Sequence, residues 1–280
     1  MKTAIGSVVY SQGLGYISDF LESLKNQSTQ DFSIILLNDD IEEKLFEKEF
    51  SFYIMYFGKR MQIFHTQKKF SRTYELRIEL LKTVKQSDIE LLILCDCDDK
   101  CASNRVEESK RGYDAGLWFL YNELRSFDGK PIMPNMPNTT NTILQILECN
   151  YLGLTNTALI MSKMSKEFIE SLFEGKTQIF DWYLFSRIML AGGKGEKIDN
   201  TVTYYRIYHE NVAGIPTNSL EELRKEIEIK IEHYKLLQKY DDAYSSLIVK
   251  YCNIVLDTYI DHKETFVFWW GHCRVGVVKE

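Results

Sequence analysis

The run Asp96-Cys97-Asp98-Asp99 sets three carboxylates within four positions, directly behind the apolar stretch Leu91-Leu92-Ile93-Leu94-Cys95. A continuous apolar run of this length reads as a strand buried on both faces. The carboxylates then stand where that strand leaves the core, the edge at which open α/β sheets bind ligands. Like charges packed this closely cost free energy unless a cation neutralises them. Asp96 and Asp98 alternate onto one side of an extended chain, so both can hold the same hard ion. Oxygen ligands favour Mg²⁺ or Mn²⁺, which keep some waters and bridge to phosphates. From these residues alone, a solvated turn is the competing reading. Zinc fits poorly. Cys95, Cys97 and Cys101 have no second Cys or His pair at a zinc spacing, and Cys97 points away from Asp96.

The elements that would position these carboxylates follow from hydrophobic pattern. Ala4 to Tyr10 reads as a first strand, and Gln12-Gly13-Leu14-Gly15 as a turn lacking the third glycine of a dinucleotide fingerprint. Ile17, Phe20, Leu21 and Leu24 mark an amphipathic helix. Phe32 to Leu37 is a second buried strand, ending in Asn38-Asp39-Asp40. Strand, helix and strand in this order imply a right-handed βαβ unit. Short strands are expected over Tyr53 to Phe57 and Gln62 to His65. Lys68, Lys69 and Arg72 form a basic cluster before a helix from about Tyr74 to Val84. Such a cluster either contacts phosphate or base at a helix N-terminus or is a solvated loop.

Beyond the organising strand, Leu117, Leu120, Tyr121 and Leu124 predict another amphipathic helix. Asp128 to Asn141 holds three prolines and reads as a long loop, either a lid or a surface excursion. Ile143 to Leu147 and Thr157 to Met161 predict strands. Ser165 predicts a cap for a helix through Phe173. Phe180-Asp181-Trp182 opens a further helix that Gly192-Gly193 ends. Asp181 there is either the helix cap or a functional carboxylate. Lys197 to Tyr205 reads as a strand, followed by Arg206, His209 and Asn211. Ser219 to about Asp261 is helical and charged, with a break near Tyr240-Asp241. The apolar tail Phe266 to Trp270 is a docked end, a subunit contact or a membrane-surface anchor.

Composition narrows the class. At 280 residues, 45% hydrophobic and 26% charged, the chain can bury a substantial core. A net charge of -6 argues against a general nucleic-acid surface. Six cysteines without framework spacing, and a start lacking a secretory hydrophobic region, point to a reducing cytoplasm. No stretch approaches a membrane span.

Taken in order, five segments resemble the GT-A glycosyltransferases of the inverting "family 2" type over roughly the first 215 residues. They are Ser23-Leu24-Lys25-Asn26-Gln27, Asp31-Phe32 with the strand to Asp40, Asp96-Cys97-Asp98-Asp99 as a D-x-D, Phe180-Asp181-Trp182, and Tyr205-Arg206 with His209 and Asn211. The chain departs from the family where Ile41-Glu42 replaces a Gly-Ser pair and where His209 lies one position later than usual. The Gln12 to Gly15 turn also replaces an Asn-rich one.

The resemblance implies an α/β GT-A fold, with a mostly parallel central sheet flanked by helices and a helical C-terminal extension. It divides the chain into a catalytic domain over 1–215 and an extension over 216–280; the domain has a nucleotide-binding half, 1–100, and an acceptor half, 101–215. It implies transfer of a sugar from a UDP-sugar to a saccharide or lipid-linked saccharide acceptor, with inversion, in surface polysaccharide or glycoconjugate synthesis. The C-terminal region would contact a partner subunit or the inner face of the membrane. Donor contacts would come from Tyr10, Asn38, Asp39, Arg72, Asp96 and Cys97, and ligands to Mn²⁺ or Mg²⁺ from Asp96, Asp98 and His209. Asp39 would accept from the uracil N–H. Asp181 would be the general base, with partial burial beside Trp182 offsetting the helix N-terminus, which lowers its pKa. A sugar-1-phosphate nucleotidyltransferase-like enzyme and a non-catalytic nucleotide-binding or scaffold protein are the alternatives.

Overall fold

The computed structural model describes residues 1–66, 70, 72–133, 135–207 and 220–254. Its strands are β1 (Thr3–Val9), β2 (Ser33–Asn38), β3 (Met61–His65), β4 (Leu91–Leu94), β5 (Lys100–Cys101), β6 (Phe119–Ser126), β7 (Thr139–Thr140), β8 (Thr157–Ile160) and β9 (Gly195–Tyr205). Its α-helices are α1 (Leu14–Lys25), α2 (Glu43–Glu49), α3 (Ser51–Phe57), α4 (Thr73–Lys85), α5 (Arg105–Arg111), α6 (Lys166–Ser171), α7 (Phe180–Leu190), α8 (Leu220–Leu237) and α9 (Ala243–Cys252).

One sheet runs in the order β3-β2-β1-β4-β8-β6-β9-β5, with β7 paired to β9. The β3-β2-β1-β4 half is parallel throughout. Beyond it the sheet is mixed: β8 runs antiparallel to β4 and β6, and β9 returns parallel to β6. β1 and β4 sit inside the sheet and every one of their residues is buried. Alternation along them fills two cores. Ala4, Val8, Leu92 and Leu94 belong to the core that also takes in α4, α7, α8 and α9. Ile5, Val9, Leu91 and Ile93 face α1, α2, α3 and α5. Each fully buried Leu, Ile or Phe contributes about 1.5–3 kcal/mol of transfer free energy. The three-layer stack therefore holds rigid the sheet edge from which the acidic loop projects.

Several expectations change. Residues 117–124 do not form a helix: Phe119–Ser126 is β6, paired to β8 and β9. The run Leu117, Trp118, Phe119, Leu120, Tyr121 is apolar on both sides because β6 is buried on both faces. Its helical spacing is a coincidence of that double burial, and its aromatics favour a strand. Tyr53 to Phe57 lies in helix α3 rather than a strand, with Phe57 inward and Met55 83% exposed. Ile143–Ile146 is a 3₁₀ turn closed by a capping box between Thr142 and Gln145. The Gln12 to Gly15 segment is not a free turn, since a 3₁₀ turn runs straight into α1.

Other expectations agree. Ser165 caps α6, its hydroxyl accepting from the Phe168 N–H at 3.1 Å. α7 closes through Gly192, whose φ of 79° is costly for any side chain. Tail residues 266–270 lie outside the described residues, as do Lys68, Lys69, His209 and Asn211. Among the described residues, no helix is long and apolar enough to cross a membrane.

Candidate active site

β4 delivers its chain end to the carboxyl edge of the parallel half. There the chain turns, the Asp99 N–H donating to the Asp96 carbonyl at 3.0 Å. The turn brings all three carboxylates to one place, with oxygens of Asp96, Asp98 and Asp99 within 4.8 Å of one another. Alternation alone assigned only Asp96 and Asp98 to this side; the turn adds Asp99. Asp99 is 1% exposed. Its Oδ1 accepts from the Arg206 N–H at 2.8 Å, while its buried Oδ2 has no hydrogen-bond partner among the described residues. The nearby Thr155 hydroxyl is directed to the Cys95 sulfur at 3.8 Å and also acts on the Asp99 carboxyl, lowering its pKa against the larger effects that raise it. Burial, then the Asp98 and Asp96 charges, push the Asp99 carboxyl well above its ordinary range. An orphaned buried carboxylate oxygen among hard oxygen donors fits a divalent cation of the Mn²⁺ or Mg²⁺ type.

Two arginines bracket this triad. Arg206, at the end of β9, donates through Nε to the Asp98 carbonyl at 2.8 Å and through Nη2 to Asp19 at 2.7 Å. Its guanidinium lies 4.4 Å from the ring centres of both Tyr16 and Phe127. β9 is thereby tied to the acidic turn on one side and to α1 on the other. Arg77, from α4, pairs with Asp96. Sequence reading missed Arg77, which looks like a solvent-face residue of an amphipathic helix. Tyr205, next to Arg206, has its hydroxyl pushed up by burial and then by Asp99, Asp96, Asp98 and Asp181. It is a neutral hydroxyl among carboxylates.

Asp181 belongs to the same neighbourhood. It is not the cap of α7, because the cap position is Ile179. Its Oδ2 instead accepts from the Leu154 N–H at 3.0 Å. Burial raises its pKa to about 6; Arg77 and the Leu154 N–H oppose the rise and Asp96 adds to it. The next residue, Trp182, is fully buried, donates to the Ile146 carbonyl at 2.6 Å and stacks on His233 of α8 with ring centres 3.9 Å apart. Gly175, just ahead of α7, is needed for close approach: a Cβ there would meet the Tyr183 ring at 2.1 Å.

The other expected donor contacts divide. Asp39 sits half-buried past the end of β2, its N–H donating to the Val9 carbonyl at 3.0 Å and its Oδ1 accepting from Phe70 N–H at 3.4 Å. Tyr10 follows β1 on the same edge, packs against both cores and lies within electrostatic reach of Arg77. Asn38 is 2% exposed, and its side chain is engaged with Ile41 and His65. It shapes the loop rather than presenting an amide to solvent. Cys97 is fully buried, its Sγ 2.9 Å from where a Cβ on Gly13 would stand. Any donor contact at position 97 therefore falls to the main chain. Arg72 is exposed at the residue before α4. His209 lies outside the described residues.

Neither the known family models nor the curated proteins include a match to this sequence. Solved structures do match. S. aureus TarS 1–349 in complex with UDP-GlcNAc superposes with a TM-score of 0.63 at 14% identity, over 95% of this chain and 77% of that one. The mannosyltransferase PcManGT from Pyrobaculum calidifontis, with GDP-Man and Mn²⁺, gives 0.54 at 9% identity, over 84% and 63%. GalNAc-T7 with UDP, GalNAc and Mn²⁺ gives 0.57 at 11% identity, over 94% and 54%. The architecture is accordingly the GT-A fold shared by these transferases.

Proposed function

We propose that this chain is a metal-dependent glycosyltransferase that moves a sugar from a UDP-sugar to an acceptor hydroxyl with inversion. The observation that carries it is the Asp96, Asp98 and Asp99 triad within electrostatic reach of Asp181, with Arg77 paired to Asp96 and acting on Asp181 as well. The fold it shares with transferases solved with UDP-GlcNAc, UDP and GDP-Man supports the same reading.

In this reading, Asp96 and Asp98, with Asp99 beside them and His209 as a further ligand, would hold Mn²⁺ or Mg²⁺, which would supply positive charge to offset that of a departing diphosphate. Asp39 accepts from the uracil N–H, with Tyr10, Arg72 and the main chain at position 97 around the donor. Arg206 holds the Asp98-Asp99 turn in place from behind. Asp181 takes the proton of the acceptor hydroxyl. Its pKa of about 6 leaves it mostly ionised at neutral pH, yet more basic than an ordinary carboxylate. Residues 1–215 form the catalytic unit, to which α8 is docked. A role in surface polysaccharide or glycoconjugate synthesis, at the inner face of the membrane, follows from the family resemblance.

The test is calorimetric titration of UDP and UDP-sugars in Mn²⁺ and in EDTA, followed by a transfer assay against saccharide acceptors. Equal UDP affinity with and without metal would remove the reading.

A further inference from the structure

α8 has two faces with different occupations. Its inner face carries Ile227, Lys230, His233, Tyr234 and Leu237, all buried. Lys230 donates to the Glu148 carbonyl at 2.7 Å and to the Tyr251 hydroxyl at 3.0 Å, and His233 stacks on Trp182. α8 is therefore fixed against the helix that carries Asp181. Its outer face presents Lys225, Glu228 and Glu232 across an open cavity of about 220 Å³ from Thr177, Gln178 and Ile179. Ile179 caps α7 two residues before Asp181. Two residues of chain span at most about 7 Å, so the main chain at Asp181 lies within that distance of the Ile179 main chain at the cavity's edge.

We propose that this cavity is the subsite for an acceptor sugar residue, built by the C-terminal extension beside Asp181. The inference rests on the functional reading above and adds the acceptor's chemistry. The space suits one sugar ring better than an extended drug-sized ligand, which takes about 300 Å³ or more. Glu228 and Glu232 stand four residues apart on one helical face, so both carboxylates can accept from the hydroxyls of one ring. Lys225 and the Gln178 amide supply donors. The half-buried Ile229 offers apolar surface to the ring's C–H face. Two carboxylates against one ammonium disfavour phosphate, so the fitting ligand is a neutral or amino-bearing saccharide rather than a phosphate-rich polyol. A site on a docked helix is held in shape before ligand arrives, which lowers the cost of binding.

The experiment uses the full chain and the double variant Glu228→Ala/Glu232→Ala. Both side chains are exposed and alanine is the best helix former, so the fold should persist. Saturation-transfer NMR is run against a panel of neutral, amino-bearing and phosphate-bearing oligosaccharides. UDP with Mn²⁺ is titrated separately on both proteins, alongside their melting temperatures. The expected result is wild-type binding of neutral or amino-bearing members, weakened about tenfold or more in the variant. Donor affinity and melting temperature should stay unchanged. Undiminished saccharide binding by the folded variant, a preference for phosphate-bearing members, or no saccharide binding by the wild type would each overturn the subsite. Failure of UDP to bind with Mn²⁺ counts against the donor reading, and the saccharide arm distinguishes the two failures.

Discussion

The Leu154 N–H donates to Oδ2 of Asp181 at 3.0 Å, which fixes a carboxylate whose neighbours on the site side are Arg77 and Asp96. A carboxylate serving only the helix start would have no bond to a loop outside it, and Asn would replace it nearly silently. Asp181→Asn preserves shape and removes the proton acceptor. General-base catalysis is worth about 10²–10⁴-fold, so transfer should fall by that much. UDP-sugar affinity should hardly move, because the base acts on the acceptor. Transfer rate and donor affinity measured side by side decide it; near-normal turnover would return Asp181 to a structural role.

The same carboxylate sets a pH profile. Its pKa stands at about 6, above the ordinary value of 3.8. Only the ionised form accepts a proton, so transfer should be full well above pH 6 and be lost progressively as pH falls through it. Arg77 holds the pKa down from where burial would put it. Arg77→Met should therefore raise it and move the acid limb of kcat to higher pH. A limb that stays in place in this variant would show that Arg77 is not coupled to the base.

How far the site was legible in the sequence depended on whether local pattern or tertiary contact made it. β1, β2 and β4 stood out because strands buried on both faces are continuous apolar runs. Asp96 and Asp98 stood out by alternation. Asp99 did not, since alternation puts it opposite Asp98 and only the Asp99-to-Asp96 turn folds it back. Arg77 was invisible because a polar position on an amphipathic helix reads as solvent-facing. Asn38 is ambiguous in the other direction: a polar residue at a strand end reads as a ligand contact, and the structure adds that its amide is engaged with Ile41 and His65. β6 failed because double burial in the sheet also satisfies the helical spacing test.

Oδ2 of Asp99, buried and without a hydrogen-bond partner among the described residues, makes metal binding a proton-linked event. Without a cation, burial and two adjacent carboxylates raise the Asp99 pKa and favour its neutral form. A divalent ion reverses that balance and should drive the proton off. Mn²⁺ titrations in buffers of different ionisation enthalpy should therefore show proton release, diminished in Asp99→Asn. Asp98→Asn should abolish most of the Mn²⁺ dependence of UDP binding. Proton uptake on adding Mn²⁺ would contradict the assignment.

Base recognition offers a test independent of metal and catalysis. Asp39 projects just past β2, on the edge shared with Tyr10. Its Oδ1 meets the Phe70 N–H at 3.4 Å and the Thr66 hydroxyl at 3.5 Å, both at the long end of hydrogen-bonding range. A carboxylate held so loosely retains capacity to accept from the uracil N–H. Asp39→Ala should weaken uridine by about 1.5–3 kcal/mol, the usual worth of a charge-assisted hydrogen bond. The adjacent Asp40 provides the control. Its oxygens are spent on the Ser11 N–H at 2.7 Å and the Ser11 hydroxyl at 2.8 Å, fastening the loop between β1 and α1. Asp40→Ala should therefore lower the melting temperature, with a smaller loss of uridine affinity than Asp39→Ala. UDP should raise the melting temperature more than GDP or CDP, in proportion to occupancy of the native state. A larger shift with GDP or CDP would overturn the base assignment at Asp39 and leave the metal triad as the anchor of the donor.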